Sequence, residues 1–223
     1  MTSSDAYRLV RSSDTAAAFH ARLVPDPAGA ELWWHDIEAP ALVLGSSQDA
    51  SVVDAAACDR AGVAVVRRRS GGGAVLLVPG EVTWLDVIVP NGGVGWSSDV
   101  HAPMRWLGEH LGAAVGELVG STRQVHVHDG PMVHTHWSSQ VCFDGVGVGE
   151  VLLDGHKLVG MSQRRTRHAA RLQCCWYSDH DHEALRALLR AEHRPGHGEL
   201  AAVATLPRDL AEALPGILHD RLR

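Results

Sequence analysis

Short apolar runs alternate with turn residues along most of the chain, and a few longer stretches carry helical spacing. The run Ala41–Leu44 reads as a strand closed by Gly45, and the runs at 63–66, 74–78 and 82–89 read as three more. Ser70-Gly71-Gly72-Gly73 is the expected turn between the second and third of these, and Pro90 with Asn91-Gly92-Gly93 closes the fourth. Ser51 with Asp54 three positions on is a capping signal, which predicts a helix over 52–60 that stops at Gly62.

Ser98 opens a predicted helix over 99–115, in which Met104, Leu107, Leu111 and Val115 recur near helical spacing. Segments 149–153 and 156–161 flank Asp154-Gly155, a dipeptide that tolerates positive φ and so closes a two-residue hairpin. A further strand is expected over 171–177, and helices over 182–190 and 207–222, the last with Pro207 in its first turn. Strands in hairpins with interspersed helices predict an α+β fold, a mixed and largely antiparallel sheet flanked by helices. No repeat or linker interrupts 1–223, so a single domain is expected.

Composition narrows the class. Hydrophobic residues make up 45% and charged residues 21%, the balance of a folded globular chain. No apolar run approaches the roughly 20 residues of a membrane span. The N-terminus, Met1 to Val10, lacks the apolar core of a secretory signal. The expected compartment is the cytoplasm, with no membrane partner. A net charge of -6 argues against a nucleic-acid coat, which needs an excess of Lys and Arg. Cys58, Cys142, Cys174 and Cys175 show neither zinc-site spacing nor a disulfide framework, and read as reduced thiols.

The basic residues are nineteen Arg and one Lys, Lys157. An ammonium is a compact mobile point charge and a guanidinium a rigid planar fork, so this exception hints at a place where only an ammonium serves. Chance gives the same count.

Two segments hold residues that carry chemistry. In Arg67-Arg68-Arg69-Ser70-Gly71-Gly72-Gly73-Ala74-Val75 the glycines let a ligand approach the backbone, and the arginines suit oxyanions. It is not a nucleotide P-loop, because no Lys-Ser/Thr follows the glycines and a strand comes next. Alone it reads more readily as a glycine-rich hairpin beside a solvated charged run. In the second segment, 149–163, strand alternation places Lys157, Val159 and Met161 on one face, with Glu150 on the partner strand. Alone, Lys157 reads equally as an edge-strand lysine that discourages aggregation.

Together the two segments resemble the lipoate-protein ligase and octanoyltransferase family. The matching elements are Arg-Arg-x-Ser-Gly-Gly-Gly-Ala-Val and, further along, an acidic residue, a hairpin, Gly-x-Lys and Gly-x-Ser-Gln. Leu42-Val43-Leu44-Gly45-Ser46-Ser47-Gln48 is similar to that family's early strand and Gly-x-x-Gln turn. The likeness spans 42–163.

The resemblance implies a fold of the class II synthetase and biotin ligase kind. It implies an enzyme that activates lipoate or octanoate with ATP and Mg2+ to an acyl-adenylate. The acyl group then passes to a lysine of a lipoyl carrier domain, on a 2-oxoacid dehydrogenase or a glycine cleavage protein. Many such ligases carry an accessory C-terminal domain for which this chain is too short, so either a separate accessory subunit supplies that function or the full ligase reaction is not the one performed. On this chain the resemblance makes Lys157 the catalytic amine, at the acid's carbonyl and the α-phosphate. Arg68, Ser70, Gly71, Gly72, Gly73, Ala74, Glu150, Gly160 and Ser162 become substrate-binding residues, and no side chain is assigned to a metal.

One octanoyltransferase branch of the family carries a Cys-Phe before the Glu and the Gly-x-Lys, and that cysteine forms an acyl-thioester without ATP. Cys142-Phe143 fits this alternative, although a cysteine is more commonly a small buried apolar residue. The chain departs from the family at Leu77 and Val78, where His-Asp is usual, and at Cys174-Cys175-Trp176, where octanoyltransferases have His-Gly-Ser. The first departure leaves open a non-catalytic binder of acyl-adenylate or of a carrier domain.

His126-x-His128 and His134-x-His136 have the alternation of metal ligands on a strand, but no carboxylate or thiol completes a site, and Asp129-Gly130-Pro131 breaks the run. They read as structural or solvated. Arg164, Arg165, Arg167 and Arg171 form a basic cluster that either steers an acidic lipoyl domain or a nucleotide phosphate or is a solvated face. Trp33, Trp34, Trp106 and Trp176 read as core or pocket wall.

Overall fold

The long apolar run after Glu81 becomes the centre of the main sheet. In the structure, a computed structural model that describes residues 6–223, seven strands pair in one sheet. Their order is β1 (Arg8–Asp14), β2 (Glu31–Ile37), β6 (Val82–Pro90), β10 (Ala169–Tyr177), β9 (His156–Arg165), β8 (Val151–Leu153) and β7 (Val125–Val127). Only β1 and β2 run parallel among these neighbours. The expectation about a secretory signal rests in part on residues 1–5, which lie outside the described residues. No helix among the described residues is long and apolar enough to cross a membrane.

A second sheet of three strands has the order β4 (Ala64–Arg67), β3 (Ala41–Leu44), β5 (Val75–Leu77). This corrects the expectation that the Ser70–Gly73 segment is a hairpin turn. Strand β3 is buried at all four positions and takes the middle, parallel to β4 and antiparallel to β5. The glycine segment therefore arches over the end of β3, where Arg68 N–H donates to Leu44 O. A parallel pair needs a crossover, and α2 (Ala55–Ala61) supplies it. Helix α2 starts later than expected because Asp54, not Ser51, caps it through a bond to Ala57 N–H. Residues Ala50–Val52 form a separate short turn capped by Asp49.

Helices α3 (Ala102–Val119) and α5 (Arg208–Arg221) cover one face of the main sheet, burying Leu107, Leu111, Val115, Leu214 and Leu218 against Leu85, Val87 and Leu172. Truncating a buried leucine to alanine typically costs about 2–5 kcal/mol. The opposite face packs against α1 (Ala16–Ala21) and the small sheet through Phe19, Val43, Val75, Leu77 and Trp84. Helix α4 (His182–Ala187) closes the far side of the small sheet through Leu185. The result is an α+β fold with a mixed, largely antiparallel sheet flanked by helices, as the pattern predicts. The candidate residues lie between the two sheets.

Candidate active site

The Asp154-Gly155 turn closes the β8–β9 hairpin with φ of 51° and 83°. Behind it the register slips: Leu152 pairs with Lys157 but Val151 pairs with Val159, so Leu158 is an extra residue. A bulge of this kind reverses the alternation. Lys157, Val159 and Met161 consequently do not share a face, which corrects the strand-alternation expectation. Val159 and Met161 turn into the helix-covered core, while a Cβ at Gly160 would sit 3.4 Å from Lys157 Cε.

Lys157 is only 4% exposed. Its ammonium donates to the carbonyls of Cys142 and Gly145, each at 2.9 Å, and pairs with Glu150 Oε2 at 2.7 Å. Burial works against the charge, but Glu150 first and then Cys142 outweigh it and hold the lysine above its ordinary pKa. The site therefore keeps an ammonium at neutral pH. Glu150 is itself fixed, accepting from Gly147 N–H at 2.7 Å and Met161 N–H at 2.8 Å.

Cys142 opens a short turn, Cys142–Asp144, that lies along the small sheet. Its N–H donates to Ala74 O at 3.0 Å, and Ala74 N–H donates to Gln140 O at 2.6 Å. Gly73 makes this approach possible, because a Cβ there would lie 2.6 Å from Cys142 N. Gln48 ties the same loop to the end of β3, accepting from Gly45 N–H and donating to Ser139 O and Gln140 O. Phe143 packs beneath the lysine, with Nζ 5.0 Å from the ring centroid.

Two cavities meet at the cysteine. One, of about 280 Å³, is bordered by the Gly71–Gly73 bend on one side and by Glu150 and Lys157 on the other. The second is a narrow slot of about 40 Å³ between the sheets, walled by Val43, Val75, Leu77 and Trp84. Cys142, Met161 and Ser162 line both. Leu77, which stands where the family usually has His, thus makes the slot wall apolar. Cys175 lines the slot too, but burial pushes its thiol up to about 12, which leaves it protonated.

Ser70 and Ser162 share a hydrogen bond at 2.9 Å, and Ser70 also donates to Gln173 Oε1 at 3.2 Å. Arg68 lines the slot, yet its guanidinium is spent on the carbonyls of Val43, Gly71 and Gly73 and so braces the bend. Lys157, Cys142, Ser70, the three glycines, Ala74, Glu150, Gly160 and Ser162 are all gathered at this junction. The basic cluster is not one solvated face: Arg171 is buried on Asp86 at 2.8 Å, and Arg165 stacks over Trp96. Trp33 and Trp176 are core residues, and Trp84 is slot wall.

Sequence reasoning missed His20 and Gln173 as slot residues, since each is an isolated polar residue whose neighbours come from distant strands. The structural role of Gln48 was visible only as part of the Gly-x-x-Gln turn. Among the described residues no group of three or more His, Cys, Asp or Glu is arranged to hold a metal ion.

A buried lysine-glutamate pair and a thiol at the mouth of an apolar slot, beside a glycine bend, suit the handling of an acyl group. The family model described as Lipoyl protein ligase A/B catalytic domain matches residues 19–214, and the chain belongs to that family. The octanoyltransferase LipM of Kyrpidia tusciae is 34% identical over 153 residues, which cover 68% of this chain and 55% of that protein. The match thus spans little more than half the length of that relative. Lipoate-protein ligase A bound with ATP superposes with a TM-score of 0.67 at 16% identity, covering 97% of this chain and 84% of that one. A bi-partite lipoate protein ligase from Thermoplasma acidophilum, described with its E2 lipoyl domain, gives a TM-score of 0.66 at 14% identity, covering 97% and 83%. These two likenesses speak to the fold.

Proposed function

We propose that this enzyme transfers an octanoyl or lipoyl group through a thioester on Cys142, without ATP, to a lysine of a lipoyl carrier domain. The observation that carries this reading is that Cys142 lines both cavities while Lys157 holds its carbonyl. The acyl chain lies in the slot, and the donor and then the carrier lysine enter through the wider cavity. In the first step the Cys142 thiolate attacks the carbonyl carbon of an acyl thioester, the donor's C–S bond breaks, and the donor thiol leaves with a proton. In the second, the ε-amine of the carrier lysine attacks the Cys142 thioester, an amide forms, and Cys142 returns as a thiol.

Both steps build negative charge next to a fixed and buried ammonium. Removing one preorganised donor of this kind typically costs on the order of 3 kcal/mol. The octanoyltransferase named above, which is similar over most of this chain, supports the same reaction class.

The sequence places an ATP-dependent ligase first, and that is the second reading. The Gly71–Gly73 bend beside Lys157 favours it, as room for an acyl-adenylate phosphate. The lysine of that cavity is already paired with Glu150, and Mg2+ would have to arrive on the nucleotide's own phosphates. Against the non-catalytic binder that Leu77 and Val78 leave open stand the thiol and the ammonium, which both line the cavity.

The test is octanoylation of an apo lipoyl domain. With octanoyl thioester and no nucleotide, product should form and should vanish in Cys142→Ser. Product made only from octanoate and ATP, with pyrophosphate exchange, would move the assignment to the ligase.

A further inference from the structure

The face of the main sheet that floors the slot does not stop at the slot. On β9 the residues Gly160, Ser162 and Arg164 alternate onto it, and on β10 their register partners Cys175, Gln173 and Arg171 do the same. The four steps from Gly160 to Arg164 advance about 13 Å along the strand. The face therefore runs from the thiol end, past a polar middle, to arginines.

At that far end lies another cavity, of about 240 Å³, bordered by Arg22, Arg69, Arg164 and Thr166. His20 and Gln173 line both this cavity and the slot, so they form the partition between them. Among the described residues no Asp or Glu lines it. Among the described residues Arg22, Arg69 and Arg164 have no ion-pair partner. Two carboxylates on this side of the sheet are already engaged. Glu31 binds Arg8 and Trp33, and Asp86 binds His35, Trp84 and Arg171.

We propose that the acyl group this enzyme prefers carries an oxyanion, such as a carboxylate, at its far end, held in this cavity by Arg22, Arg69 and Arg164. The inference rests on the reading above only in placing the acyl carbonyl at Cys142 and the chain in the slot. A plain alkyl tail would end against His20 and Gln173, where buried polar groups gain nothing from it. A tail ending in a carboxylate, on parting the 3.5 Å contact between Gln173 Nε2 and His20 Nδ1, would meet guanidinium groups whose planar forks match it.

Calorimetric titration of full-length Cys142→Ser protein with suberamic acid and with octanamide tests this without any covalent step. The expected result is about tenfold tighter binding of suberamic acid at low salt. That advantage should shrink in about 0.5 M NaCl, where exposed charges are screened. It should disappear in Arg69→Glu, Arg164→Glu protein and weaken in the milder Arg69→Gln, while octanoyl loading of Cys142 in the otherwise wild-type chain stays unchanged. Equal or tighter binding of octanamide would overturn the proposal, as would a preference that the arginine variants leave intact. Competition by ATP that depends on the same arginines would also overturn it and give the cavity to nucleotide phosphates. Preference for suberamic acid without any thioester on wild-type Cys142 would sink only the transferase reading, and thioester formation without the preference only this one.

Discussion

Lys157 donates to the main-chain carbonyl of Cys142 at 2.9 Å, so the ammonium grips the loop that presents the thiol. Glu150 holds the same ammonium from the other side at 2.7 Å. One ammonium thus links the hairpin, the cysteine loop and the charge of the site.

Removing the amine should damage both stability and chemistry. Lys157→Ala leaves the Glu150 carboxylate buried without its partner, for which about 3–5 kcal/mol of stability is the expected loss. The double variant Lys157→Met, Glu150→Gln should regain most of that stability in a denaturant titration while staying inactive. Lys157→Arg should not rescue transfer, because the bulkier fork cannot reproduce three separate donor directions. Full activity in Lys157→Arg would mean that positive charge alone suffices.

The glycine bend should divide into tolerant and intolerant positions. A Cβ on Gly73 would lie 2.6 Å from Cys142 N, whereas one on Gly71 meets nothing within 4 Å. Gly73→Ala should therefore displace the cysteine loop, and a displacement near 1 Å typically lowers turnover about 100-fold. Gly71→Ala should leave the melting temperature unchanged. Comparable losses of stability in the two variants would show that the bend is not built around Cys142.

Gln48 should act on turnover through position alone. Gln48→Leu removes its part-buried bonds to Gly45 and Gln140 and an exposed one to Ser139, and the expected cost is about 1 kcal/mol. The rate of Cys142 thioester formation should fall, with rescue by Gln48→Asn absent because the shorter chain cannot span both partners. A loss of binding with an unchanged rate would assign Gln48 to substrate contact instead.

Acid should weaken the fold through His20. Burial first, with Arg171, Arg68 and His35 adding to it, lowers its pKa from 6.5 to about 4 despite Asp86. The unfolded chain takes up that proton below pH 6.5 while the folded chain does not until about pH 4, so stability falls across this window as pH drops. His20→Gln should flatten this part of the profile, by an amount on the order of 3 kcal/mol between neutral pH and pH 4. A profile unchanged by the substitution would remove His20 as the cause.

The strands, the hairpin turn and the later helices were legible because each is written in a local pattern. β1, α1, β2 and β7 were not. Leu32, Trp33 and Trp34 sit in a seven-residue strand whose burial alternates imperfectly, and His20 lies in the last turn of a six-residue helix made largely of alanine. The pairing of Lys157 with Glu150 lay within one hairpin, but the face of Lys157 depends on a bulge that no spacing in the sequence announces. The route from Cys142 to the arginine cavity needs α1, the small sheet and three strands of the main sheet at once, so it is a property of the assembled fold.

Intact-mass measurement of the wild-type enzyme mixed with octanoyl N-acetylcysteamine thioester, in buffer without nucleotide, bears most directly on the central claim. One hydroxylamine-labile octanoyl group per chain is expected, present in Cys175→Ser and absent in Cys142→Ser. An adduct that survives in Cys142→Ser, or that forms only when ATP is supplied, would contradict it.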